Sequence, residues 1–152
     1  MAVHGVDFRP RERALPFGDY VSDNGGNVAV DTKYDVQELV MDVGRDHARF
    51  VRECERARAA GFRLVVLVES SERYNLPGQL EKWVSKVCRM CRACTPSKNA
   101  RCMRHRTKPM QGDTLVKVLR TMERNHGVRF EFVSKRNCAR RICELLGEEV
   151  PR

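Results

Sequence analysis

Long hydrophobic runs are missing from this sequence. No stretch approaches the twenty or so apolar residues that a membrane-spanning helix needs. The N-terminal segment lacks the apolar core of a secretory signal. These two absences predict a cytoplasmic protein with no membrane partner. Internal repeats are missing too, which argues against a solenoid or propeller. The seven cysteines are odd in number and carry no export context, so a disulfide scaffold is not expected and thiols or a metal site are. Acidic residues are absent from Lys86 to Lys108, where eight Lys/Arg accumulate. The net charge of +9 rests almost wholly on that window, because elsewhere Lys and Arg nearly balance Asp and Glu. A basic, acid-free segment favours a polyanionic partner, nucleic acid first, through release of counterions from phosphate; its bland alternative is a solvated loop.

At 152 residues the chain is expected to form a single domain (1–152) with one buried core. Ala14–Val21 and Asn27–Lys33 read as two strands joined by the turn-forming Ser22-Asp23-Asn24-Gly25-Gly26-Asn27. From Asp35 to Ala60 the apolar positions Val36, Leu39, Val40, Val43, Phe50, Val51, Cys54 and Ala57 recur at three and four, predicting one long amphipathic helix ended by Gly61. His47 falls within that stripe and is expected to be a hydrogen-bonded core histidine. Arg63–Val68 (RLVVLV) has the composition of a strand buried on both faces. A short helix around Trp83 follows, then a basic Cys-rich insert at 86–109. A helix capped by Asp113 runs to about Asn125, Val128–Val133 forms a last strand, and Asn137–Leu146 forms a last helix closed by Gly147. This order predicts an α/β fold with a mixed central sheet flanked by helices.

The candidate chemistry lies at Gly18-Asp19-Tyr20 and Asp31-Thr32-Lys33. The two-residue period of a strand puts Asp31 and Lys33 on one face of Val28–Lys33 and Val28 and Val30 on the other. Asp19 and Asp31, with the Thr32 carbonyl, form an oxygen-rich set suited to Mg²⁺ or Mn²⁺. Lys33 can orient or deprotonate a water and steady developing charge. Glu38, in the first turn of the next helix, can add a second carboxylate. The competing reading makes Asp19 a turn residue and Asp31/Lys33 a solvent-facing pair, and spacing alone does not separate the two.

The segment from Phe17 to Glu69 resembles the core of the XPF-type nuclease domain, within the PD-(D/E)xK superfamily. It carries that family's GD pair, a strand ending in acidic-x-Lys, an acid early in the next helix, an Arg-Phe within that helix, and an LVE strand. It is most similar to the small single-domain forms of bacteriophages and their bacterial hosts. Trp83, Pro109/Gly112/Leu115, Thr121-Met122 and Gly127-Val128-Phe130-Phe132 continue the likeness, which covers roughly 15–147 apart from the insert. The resemblance implies a restriction-endonuclease-like fold. It implies a Mg²⁺-dependent endonuclease that hydrolyses branched or flapped DNA in recombination and repair, in a bacterial or phage-infected cell. Metal ligands then fall on Asp19 and Asp31, the catalytic lysine on Lys33, the helix acid on Glu38, and a phosphate-side arginine on Arg49, whose alternative is an i,i+4 pair with Glu53. Two family features differ: only Val6-Asp7-Phe8-Arg9-Pro10-Arg11-Glu12 stands where a strand ending in Asp-x-Arg-Glu is usual, and no tandem helix-hairpin-helix module is seen. A homodimer is left open.

In the insert, Cys88, Cys91, Cys94, Cys102 and His105 supply five donors at short spacings, one more than tetrahedral Zn²⁺ needs. Cys88 with Cys91 or Cys94, then Cys102 and His105, would close a zinc knuckle; the rival is a reduced loop. A knuckle would present Arg89, Arg92, Lys98, Arg101, Arg104 and Arg106 to DNA phosphates. Without interleaved aromatics these read backbone rather than bases. The alternative to the enzyme is a DNA-binding protein on a weakened nuclease core.

Overall fold

β-Branched residues at alternating positions set the centre of the molecule. The structure, a computed structural model, describes residues 14–91 and 107–150. Four strands lie in the order β1 (Tyr20–Val21), β2 (Val28–Lys33), β3 (Arg63–Glu69), β4 (Arg129–Val133). β1 pairs antiparallel to β2, whereas β2, β3 and β4 run parallel, so the sheet is mixed. Leu64 to Val68 of β3 are all buried, as a central strand covered on both faces requires.

Helices cover the two faces unequally. α1 (Val36–Val43), α2 (His47–Ala59) and α4 (Gly112–His126) pack on the face carrying Ala29, Leu64, Val66 and Val68. Leu39, Phe50, Leu115 and Met122 fill that core. α5 (Cys138–Leu146) covers the other face, where Cys138 and Ile142 meet Val30 and Leu67. α3 is a single turn, Lys86–Arg89, begun by the Ser85 hydroxyl accepting the Val87 N–H. Among the described residues no helix is long and apolar enough to cross a membrane.

Several elements differ from the sequence reading. The first strand shrinks from Ala14–Val21 to Tyr20–Val21. The long helix is two helices, because α1 ends at Gly44, whose backbone (φ −101, ψ −90) leaves the helical region. The apolar stripe continues across the break, which is why periodicity alone reads one helix. His47 opens α2 as an exposed residue rather than a core one, and its Nδ1 lies 3.1 Å from the Val43 carbonyl. Trp83 is buried but follows a 3₁₀ turn, Leu80–Lys82. The residue before α4 is Gln111, and Asp113 lies inside the first turn, its carboxylate accepting the Thr114 N–H.

Gly112 shows how α4 is seated. Its N–H donates to the Trp83 carbonyl at 3.1 Å. A Cβ there would stand 2.3 Å from the Leu80 carbonyl oxygen and 2.7 Å from that of Glu81. Both obstacles are backbone and cannot rotate away. Gly112→Ala is therefore expected to lose about 2–3 kcal/mol of stability, the scale of overpacking in a fixed backbone. A urea titration checks it, with the midpoint falling at unchanged slope.

Candidate active site: a lysine held between buried aspartates

Strand alternation turns Asp31 and Lys33 toward α1 and α2, on the same face as Ala29. Both side chains are nearly covered, with residue exposures of 5% and 9%. The solvent-facing alternative is therefore not what this fold builds. Lys33 Nζ sits 2.7 Å from Asp31 Oδ2 and 2.7 Å from Asp42 Oδ2. Asp42 Oδ1 in turn accepts from Arg49 Nη2 at 2.9 Å. The result is a chain of alternating charge, Arg49–Asp42–Lys33–Asp31, running from surface to interior.

Asp42 was invisible to the motif reading, yet it holds the position expected of Glu38. It is buried at the edge of the α1 stripe, three residues after Leu39. An acid in the inward stripe of an amphipathic helix is the signal that could have found it. Glu38 is exposed and does other work. Asp35 Oδ1 accepts the Glu38 N–H at 2.8 Å, and the Glu38 carboxylate accepts the Tyr34 N–H. Asp35 and Glu38 thus form a variant of the capping box that starts α1. Arg49 does reach the cluster, through Asp42 and not through Glu53.

Asp19 acts where β1 runs out. Its N–H donates to the Val30 carbonyl at 2.8 Å, so the ladder begins there. The next outward-facing N–H on that edge of β2 belongs to Thr32. Asp19 Oδ2 accepts it at 2.8 Å and the Thr32 hydroxyl at 2.7 Å. Glu53 on α2 accepts the Gly18 N–H at 2.9 Å, which ties the strand entry to the helix.

The electrostatics follow from burial. Desolvation raises the Asp31 pKa from 3.8 to about 6; Lys33 opposes the rise, and the nearby charges of Asp19 and Glu53 add to it. Burial acts to lower the Lys33 pKa, but pairing with Asp31 and Asp42 outweighs it and the net shift is upward. Lys33 is thus a fixed cation at neutral pH, suited to orienting and charge stabilisation but not to taking a proton.

Does this set fit a divalent cation? The donors are hard oxygens. Asp31 Oδ2 is buried with no partner in hydrogen-bonding geometry, its Lys33 contact being an ion pair outside those angles. Against this, no three His, Cys, Asp or Glu side chains converge on one point among the described residues. Mg²⁺ commonly takes only one or two carboxylates and keeps its waters, so a two-carboxylate site on Asp31 and Asp19 remains chemically apt.

The cysteines divide into two groups. Cys54, Cys138 and Cys143 are buried and free, and burial raises the pKa of each thiol, so they behave as core residues. In the insert Cys88, Arg89 and Cys91 are described, and Gln111 Nε2 approaches Cys88 Sγ at 3.9 Å. Cys94, Cys102, His105, Arg92, Lys98, Arg101, Arg104 and Arg106 lie outside the described residues, as do Val6–Glu12.

The comparisons with known proteins return nothing: no family model, no curated protein and no solved structure matches this chain.

Proposed function

We propose that the chain is a Mg²⁺-dependent DNA endonuclease with a restriction-endonuclease-like core, acting on branched or flapped DNA. One observation carries the reading: a buried aspartate and lysine, 2.7 Å apart, at the carboxyl end of a central parallel strand. Burying both charges is expensive, and apolar residues would fill the same space at less cost to the fold. A site retained at that expense, where open sheets place their ligands, is best explained by chemistry.

Asp31 and Asp19 hold the cation, with the Thr32 carbonyl on the same edge of β2. When bound, Mg²⁺ polarises a phosphoryl oxygen and lowers the pKa of a water. Lys33 keeps its proton, orients the attacking water and steadies the charge that builds on the phosphorus oxygens. Asp42 positions Lys33, and Arg49 neutralises the second Asp42 oxygen. DNA is drawn in by the basic segment Lys86–Lys108. A nicking assay on branched DNA with Mg²⁺ tests the proposal: wild type cuts, and Asp31→Ala and Lys33→Ala each lose at least about a hundredfold in rate.

A second reading has its own observation. Lys33 already bridges Asp31 and Asp42, so the network is closed without a cation. A DNA-binding protein on an inactive nuclease core would bind branched DNA tightly and leave it intact. Either reading gains from a zinc knuckle in the insert. Metal analysis of purified protein is expected to find one bound Zn²⁺ that is lost in Cys102→Ser; metal-free wild type contradicts the knuckle.

A further inference from the structure

A second basic feature sits at the opposite end of the sheet from Lys33. A recess of about 250 Å³ opens where α2 and α4 end and β3 begins. Arg58 comes from the last turn of α2, Arg63 from the first residue of β3, and Arg124 from the last turn of α4. Cys54, Phe62 and Leu64 lie beneath them. Parallel register pairs Leu64 with Ala29 and Val68 with Lys33, so the recess lies on the order of 15 Å from the aspartate–lysine site.

The charge balance around it is lopsided. Arg58 and Arg124 are exposed, and their guanidinium groups have no hydrogen-bond or ion-pair partner among the described residues. Arg63 influences Glu131, but that carboxylate is already held by Arg141 at 2.7 and 3.0 Å and by Arg129 at 3.3 Å. Glu55 pairs with His126 at 2.8 Å, while Glu53 and Glu123 accept the Gly18 and Phe130 N–H groups, and none of the three makes an ion pair with Arg58 or Arg124. Arginines in a last turn commonly complement the helix dipole, and that accounts for part of this pattern. The guanidinium groups of Arg58 and Arg124 nevertheless have no bonded partner among the described residues, and with Arg63 they line one concave surface.

We infer that this recess is a phosphate-binding site, in which Arg58, Arg63 and Arg124 grip one phosphate group. Guanidinium forks match phosphate oxygens in geometry, and the recess admits the group with some of its water. The inference stands apart from the nuclease reading, because it uses none of the same residues and needs no metal.

The test is calorimetric titration of the full chain at low salt with no added Mg²⁺ or Mn²⁺, so that cleavage plays no part. Three probes are used: inorganic phosphate, a short DNA oligomer with a 5′-phosphate, and the same oligomer with a 5′-hydroxyl. Inorganic phosphate is expected to bind wild type, and Arg58→Gln and Arg124→Gln to weaken it by roughly tenfold each, one charge-assisted hydrogen bond apiece. Arg136→Gln, at an exposed arginine paired with Glu72, is expected to leave phosphate binding unchanged. A 5′-phosphate dependence of oligomer binding identifies a terminal monoester as the ligand, whereas equal binding of both oligomers, lost in Arg124→Gln, identifies a backbone diester. The inference is overturned if inorganic phosphate does not bind wild type, or if the Arg58→Gln/Arg124→Gln double variant binds it as wild type does. Circular dichroism of the variants guards against misfolding, and unfolding is not expected at exposed arginines.

Discussion

Replacing Lys33 by methionine is expected to lower the unfolding free energy at pH 7 by about 3–5 kcal/mol, the range for removing one member of a buried ion pair. Methionine is only one atom shorter than lysine and fills most of the same space, so the loss is mainly electrostatic rather than a cavity. Asp31 and Asp42 would then face each other without the ammonium that now lies 2.7 Å from each. Arg49 cannot replace it, since its side chain is largely exposed and touches only the outer Asp42 oxygen. Urea denaturation gives the number. A loss below about 1 kcal/mol would mean that water screens the site, as at an exposed pair. The double variant Asp31→Asn/Lys33→Met is expected to recover part of the loss, because one of the two unpaired carboxylates is gone.

Asp31→Asn should change how stability depends on pH. The folded pKa of Asp31 is raised from 3.8 to about 6, so the folded state binds this proton more tightly than the unfolded chain. Wild-type stability therefore falls as pH rises from about 4 to about 6, and above that window ionised Asp31 costs about 3 kcal/mol. The raised Lys33 pKa works oppositely. Its contribution is fully present below the ordinary lysine range and is lost only when alkaline pH removes the proton. At pH 7 both groups are charged, so Asp31→Asn removes the cost of the buried carboxylate but also one of the two partners of the Lys33 ammonium, and the two effects oppose each other. Compared with its difference from wild type at pH 4, where Asp31 is largely protonated, the variant is expected to gain on wild type as pH rises to 7. Thermal unfolding of both proteins between pH 4 and 8 checks it.

The sheet was largely legible in the sequence because β2 and β3 carry their burial in their composition. VAVDTK carries its charges on alternate positions and RLVVLV has none after its first residue, and the structure gives β2 one face with charged side chains and buries Leu64 to Val68 of β3 entirely. The break at Gly44 was not legible, since Val43 and Phe50 keep a seven-residue spacing that one continuous helix would also give. Within the site, Asp31 and Lys33 were found by strand period, and Arg49 by the likeness of Arg49-Phe50 to the Arg-Phe pair of the nuclease family's helix. Asp42 was missed because it reaches Lys33 only once α1 folds back over β2. Asp19 was found for its charge, but its bonds to Thr32 come from β1 starting only at Tyr20, which no local pattern marks. The arginine recess is assembled from three elements distant in sequence, so only the fold brings it together.

Stability alone does not separate a structural ion pair from a catalytic one, so unfolding and cleavage are read on the same samples. The decisive measurement is the rate at which wild type and Asp31→Asn cleave branched DNA with Mg²⁺ at pH 7.5, on samples whose unfolding curves have been recorded. Wild type is expected to cut, and folded Asp31→Asn to be slower by at least about a hundredfold. Cleavage by Asp31→Asn at the wild-type rate, or no cleavage by folded wild type, would contradict it.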